Sequence, residues 1–198
     1  MTKTWLAIFF AVLIWSAINP KGYFIWFLEV FPALVGLVLL VWTRKKFEFT
    51  QLGYILILIH CIILMIGGHY TYAEVPLFNW IRDAFDFQRN NYDKIGHLAQ
   101  GFIPAIVARE ILIRNNVVNG KRWLVYIIIS ICLAISAFYE LLEWWVAELS
   151  GESADAFLAT QGYIWDTQSD MFLAFIGAVS ALVIFSRIHD KQLHKITN

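Results

Sequence analysis

The 198-residue chain is 60% hydrophobic and 17% aromatic but only 15% charged, far below the roughly one-quarter charged residues of a soluble domain. Its 15 basic and 15 acidic residues cancel, so net charge points to no partner, and nucleic acid is not expected among them. Cys61 and Cys132 each sit inside an apolar run, which excludes a disulfide framework and a cysteine-based zinc site.

Six apolar segments follow in chain order, over 4–19, 23–43, 51–68, 95–113, 123–146 and 167–187. About 20 residues at 1.5 Å rise cross roughly 30 Å of hydrocarbon. The expectation is therefore an all-α integral membrane protein, one domain over 1–198 with six transmembrane helices. The first segment is the shortest, and Asn19–Pro20 stops it sharply. It lacks a small-x-small cleavage site and runs through Lys21 and Gly22 into another span, which favours a retained helix over a signal peptide.

The connection over 69–94 is too long for a simple turn. In it Leu77, Phe78, Ile81, Ala84 and Phe85 recur at helical spacing, with Arg82, Asp83 and Asp86 opposite. Pro76 suits a first-turn position. This pattern predicts a short amphipathic helix over 77–88, either lying in the membrane interface or packed as a small lid on the protein.

Lysine and arginine set the orientation. Lys3, Arg44, Lys45, Lys46, Arg114, Lys121, Arg122, Arg187, Lys191 and Lys195 fall at the termini and in the second and fourth connections. Only Lys21, Arg82, Arg89 and Lys94 fall in the other three. The positive-inside rule then places both termini in the cytoplasm. Trp15, Trp42, Trp123, Trp144 and Trp145 stand at segment edges, where an aromatic belt belongs.

This orientation brings polar residues of four segments to the outer leaflet. The third segment ends in GGHYTY, with His69, and the fourth opens with YDKIGHLAQG, which sets Asp93, His97 and Gln100 on one helix face. The fifth ends at Glu140 and Glu143, and the sixth opens at Asp166 and Asp170. An ionisable group at the centre of a span costs about 2.5–3.5 kcal/mol. Clustered carboxylates also repel one another unless a cation lies among them or some are protonated.

A divalent metal ion meets that need. His97, Glu140, Asp166, Asp170 and His69 are the candidate ligands; His97, Glu140, Glu143 and Asp93 are the candidate catalytic groups, with Asp93 orienting His97 across one turn. Zinc, manganese, magnesium and calcium are not distinguished by these residue types. Plainer readings stand beside this one: an interior hydrogen-bonded histidine, solvated helix-end glutamates, and Asp166 as a helix cap. Glu29 and His60 lie deeper, about 9 and 13 Å below the outer surface by helix rise, as a buried pair or a polar path inward. Arg109 and Glu110, near the inner end of the fourth segment, are explained by snorkelling and pairing.

The stretches GGHYTYAEVPLF, YDKIGHLAQGFIPAIVAREIL, ISAFYELLEWWVA and ADAFLATQGYIWDTQSDMFLAFIGA resemble the YjdF-type family of bacterial inner-membrane proteins over nearly the whole chain. The resemblance implies a multi-pass protein of the bacterial cytoplasmic membrane and implies no reaction. A more limited similarity is to VanZ-like membrane proteins, whose pattern is D-K-x-x-H, a later Glu, then an Asp followed four residues on by Asn. Asp93, Lys94, His97, Glu140 and Asp166 fit that pattern; Asp170 stands where it has Asn and adds a negative charge. This second similarity implies an envelope role.

The leading expectation is a metal-dependent enzyme, a hydrolase or transferase, acting at the outer leaflet on a lipid-linked or envelope substrate. The chain has no G-x-S-x-G, H-E-x-x-H or P-loop, so serine hydrolase, zincin and nucleotide readings lack support. The alternatives are a transporter or proton-coupled carrier, and a non-catalytic binding or assembly protein. The first of these lacks an inverted repeat or a pair of broken helices. The oligomeric state stays open.

Overall fold

The computed structural model describes residues 2–150 and 163–197, and no strand occurs among them. The helices are α1 (Lys3–Ala17), α2 (Tyr23–Thr43), α3 (Gln51–Tyr70), α4 (Pro76–Phe85), α5 (Tyr92–Arg114), α6 (Lys121–Ser150) and α7 (Asp166–Thr197), with a 3-10 turn at Tyr72–Glu74. Four of them, α2, α3, α6 and α7, are long and apolar enough to cross a membrane. α1 is apolar but only 15 residues long. α5 has 23 residues but carries Asp93, Lys94, Arg109, Glu110 and Arg114. The motif ADAFLATQG, with the residues just before it from Gly151 on, lies outside the described residues.

Helix ends follow from local chemistry. Thr2 caps α1, its hydroxyl accepting the Trp5 N–H at 3.2 Å. At the other end Asn19 turns left-handed, φ 50°, ahead of Pro20, so the helix stops short of the expected residue 19. Pro76 opens α4 in its first turn, as its fixed φ and missing N–H favour. α4 ends at Phe85 and not at 88, because Asp86 turns left-handed and the Phe87 N–H returns to the Arg82 carbonyl at 2.9 Å. No residue of α4 is buried. The apolar residues expected on one face divide: Phe78 packs against Tyr72, Val75 and Tyr92, while Leu77 and Phe85 are exposed, as is Trp80 outside that set.

The backbone groups into two compact units: Met1–Glu48, Leu58–Gly96 and Leu142–Ile164 in the first, Phe49–Ile57, His97–Leu141 and Trp165–Asn198 in the second. In the first unit Ser16 is a hub. It accepts the Trp26 indole N–H at 3.1 Å and donates to the Leu13 carbonyl at 2.8 Å. Asn90 ties the end of the connection to α5, donating to the Val75 carbonyl at 3.0 Å and accepting the Tyr92 N–H at 3.0 Å. The Tyr92 hydroxyl then donates to the Ile63 carbonyl at 2.8 Å.

The second unit is built on backbone contact between α5 and α7. A Cβ on Gly101 would collide with the Ala174 backbone, and one on Gly177 with the Leu98 carbonyl. Only glycine admits such an approach, the same device that brings helices together in lipid. On α6 the Cys132 thiol donates to the Gly101 carbonyl at 3.4 Å. α7 runs to Thr197, past the end of its apolar run at 187. The extension is held by contacts within the unit: His189 and Leu193 are buried, and Gln192 accepts the Leu52 N–H at the start of α3, at 2.9 Å.

Candidate functional site

The α5–α7 contact fixes a register. Gly101 meets Ala174, and one turn earlier on each helix stand His97 and Asp170. His97 Nε2 lies 3.9 Å from Asp170 Oδ2. α6 runs antiparallel to α5, with Cys132 at Gly101 and Glu140 at His97, where Nδ1 lies 3.6 Å from Glu140 Oε1. The three helices thus bring His97, Glu140 and Asp170 together, exposed by only 5%, 8% and 4%. Asp166, one turn before Asp170, is buried as well. The Tyr139 ring meets the His97 ring edge-on at 6.5 Å.

Two further polar groups extend this layer. Gln100 follows His97 on α5, and Ser136 precedes Glu140 by one turn on α6, both between the His97–Glu140 and Gly101–Cys132 contacts. Gln100 Oε1 and Ser136 Oγ are buried without a hydrogen-bond partner among the described residues. Buried polar atoms in that condition call for a bound water, ion or ligand group. Ser136 was not among the expected site residues; its i−4 relation to Glu140 is the signal that would have found it.

The separations suit an ion. Ligand atoms 2.0–2.6 Å from one metal lie about 3–4 Å apart from each other, and 3.6 and 3.9 Å fall in that range. Both exceed a direct hydrogen bond. Glu140 and Asp170 nevertheless face different ring nitrogens, so a single ion shares His97 with only one of them.

The other expected site residues fall as follows. Asp93 is buried one turn before His97 on α5, in the first unit, and its carboxylate is 3.6 Å from the Arg89 guanidinium. Glu143, half-buried on the next turn of α6, also belongs to the first unit. So does His69, whose Nδ1 meets the Ser16 carbonyl at 3.1 Å and whose ring packs on Trp15 and Tyr70, each at 4.5 Å. Glu29 is buried and His60 half-buried in the same unit.

A second polar network occupies the other end of α5, about 20 Å along the helix. Glu110 Oε1 accepts the Thr50 N–H at 2.8 Å and Arg114 at 2.9 Å. Its Oε2 accepts the Thr50 hydroxyl at 2.7 Å and faces His189 Nε2 at 3.1 Å. Arg109 Nη1 is 3.2 Å from His189 Nδ1, and Nη2 donates to Asp190 at 2.6 Å. A guanidinium only donates, so Nδ1 accepts and the histidine proton sits on Nε2, facing Glu110. Snorkelling and simple pairing do not describe this arrangement: Glu110 and His189 are fully buried. Reading Arg109 and Glu110 alone missed it because His189 lies 79 residues away in sequence.

Four membrane-length apolar helices and a buried histidine–carboxylate group define an integral membrane protein with a polar centre in its helix bundle. A family model described as "Predicted membrane protein (DUF2238)" matches residues 1–191, and the chain belongs to that family. It is 45% identical over 184 residues to the inner membrane protein YjdF of Escherichia coli (strain K12), covering 93% of this chain and 88% of the relative. No solved structure matches the chain.

Proposed function

We propose that the chain is a six-span inner-membrane protein with both termini in the cytoplasm, and that its His97 centre is a divalent-metal site at the outer leaflet. In this reading α1 and α5 join the four long apolar helices as spans. α1 crosses by packing on its neighbours, and α5 hides its charges inside the bundle. The exposed Leu77, Trp80 and Phe85 of α4 rest in the outer interface. The bacterial inner membrane is the location named for the E. coli relative, and the basic bias of the connections supplies the orientation.

The observation that carries the metal reading is one buried histidine with a carboxylate at each ring nitrogen. Asp170 and His97 Nε2 hold the ion, with Asp166 one turn away as a further donor. Glu140 faces Nδ1 at 3.6 Å, and closing to hydrogen-bond distance when the ion binds would let it accept the Nδ1–H and orient the ring, as outer carboxylates do for metal-bound histidines. A bound ion supplies Lewis acidity and a more acidic water. Gln100 and Ser136 offer polar groups to that water or to a substrate. Burial within apolar helices fits a lipid-linked or other amphiphilic envelope substrate, and the reaction class is hydrolysis or group transfer.

Metal content of the detergent-purified protein tests this, after equilibration with zinc, manganese, magnesium or calcium in turn. Near-stoichiometric retention of one of these ions in the wild type is expected, and its loss in Asp170→Asn and Glu140→Ala. No retention of any of the four by the wild type ends the metal reading.

A carrier is the second reading, favoured by the two polar clusters on α5 and α7. The stretch separating them counts against it. Ile103, Ala105 and Ile106 on α5 and Ala174, Ala178 and Ala181 on α7 are all buried and apolar, which offers a proton no relay.

A further inference from the structure

We propose that the pocket beside Arg109 binds the headgroup of an anionic phospholipid. The pocket, about 460 Å³, lies in the second unit among the last turns of α5, the first turns of α6 and the late part of α7. That volume is within the usual range for small-ligand sites, about 300–1,000 Å³. Its polar lining is Arg109, Lys121, Ser186 and Asp190; Ile113, Leu124 and Leu182 supply apolar wall.

Charge selects the occupant. Arg109 is 8% exposed, and two of its five N–H donors are committed, to His189 and Asp190. Those two contacts brace the guanidinium plane, and Glu110 braces His189 in turn. Lys121 is exposed and makes no ion pair among the described residues. Two cations against the single carboxylate of Asp190 leave the lining net positive, and a fixed guanidinium with spare donors is suited to a phosphate.

Depth selects a lipid over a soluble phosphate. Trp123, two residues beyond Lys121, is exposed and marks headgroup level by the preference of indole for the membrane interface. Beyond the pocket, Tyr126 on α6 and Val183 and Ile184 on α7 are exposed and apolar, a surface that acyl chains cover. Basic pockets between membrane helices on the cytoplasmic side are a known setting for anionic headgroups, and the positive-inside reading puts this end there.

Native mass spectrometry of the full-length protein, loaded from mixed micelles of phosphatidylglycerol or phosphatidylcholine, tests the proposal. The wild type should retain phosphatidylglycerol preferentially. Lys121→Gln should lower that retention about fivefold, the worth of one basic residue at an anionic surface, and Lys121→Glu further. Val125 also lines the pocket; Val125→Trp, filling it, should abolish the preference, while Lys45→Glu, an exposed basic residue of the first unit, should leave it intact. Arg109→Gln should also lose the lipid; the exposed Lys121 and Val125 variants carry the test if that protein does not fold. Equal retention of the two lipids, or a Lys121→Glu loss no greater than that of Lys45→Glu, overturns the proposal. Displacement of the lipid by millimolar glycerol 3-phosphate overturns it too, by making the pocket a site for soluble phosphate esters.

Discussion

His97 shows how much one side chain's surroundings decide. The two ring nitrogens of an imidazole are distinct, and what each one faces sets the role of the other. Here each nitrogen faces a different carboxylate, which separates two roles that residue type alone leaves merged. On the proposed metal reading, in which Asp170 is a ligand, Asp170→Asn should reduce metal affinity most. Glu140→Gln should lower it about 10–100-fold, the usual effect of losing an outer partner of a bound histidine. Titration of both variants with the retained ion checks this, and equal affinities for Glu140→Gln and wild type would remove Glu140 from the centre. At the other end of α5, Glu110 accepts from Thr50 twice and from Arg114 while fully buried. Glu110→Ala strands these donors, and breaking such a buried pair typically costs about 3–5 kcal/mol. Thermal unfolding in detergent should show a large fall in Tm, against none for the exposed Glu148→Ala.

Among the elements, α5 and α7 matter most, because their contact sets the register of both polar clusters. Gly101 lies against the Ala174 backbone and Gly177 against Leu98, so the helices approach more closely than side chains normally allow. A methyl group at either position has nowhere to go. Gly101→Ala should therefore destabilise the protein by about 1–3 kcal/mol or more, the range for overpacking, and lower metal retention with it. Gly36→Ala on α2 is the control. Its Cβ meets nothing within 4 Å, and the change should be neutral or stabilising by up to about 1 kcal/mol. If Gly101→Ala matched Gly36→Ala in Tm and metal content, close packing would not be what positions His97. The start of α3 illustrates the same dependence: Thr50 accepts the Gly53 N–H at 3.1 Å and is itself fixed by Glu110 from α5.

For the whole molecule, orientation is the property most open to measurement. Both native cysteines, Cys61 and Cys132, are buried, which gives a quiet background for thiol labelling. A cysteine at exposed Asp83 should react with an impermeant reagent added outside intact cells, and one at exposed Lys45 only after the membrane is opened. The reverse pattern would put the His97 centre on the cytoplasmic side and the Arg109 pocket outside, away from the leaflet that its headgroup reading requires.

Membrane residence was legible in the sequence because hydropathy is a sum over neighbours in the chain: the runs at 23–43, 51–68, 123–146 and 167–187 each became a long helix. Pro76 announced the start of α4, since its ring fixes φ whatever surrounds it. Histidine and carboxylates at segment ends also marked candidate chemistry, because an ionisable group in such a chain is costly wherever it lies. Tertiary structure alone decided the rest. It set which nitrogen of His97 faces which acid, and it engaged His69 with Ser16 and Trp15. It also joined Glu110 to His189 and carried α7 beyond its apolar run. These contacts join residues tens of positions apart, and those of His97 and Glu110 with α7 follow a glycine-to-backbone crossing of α5 and α7 that no local pattern of hydropathy encodes.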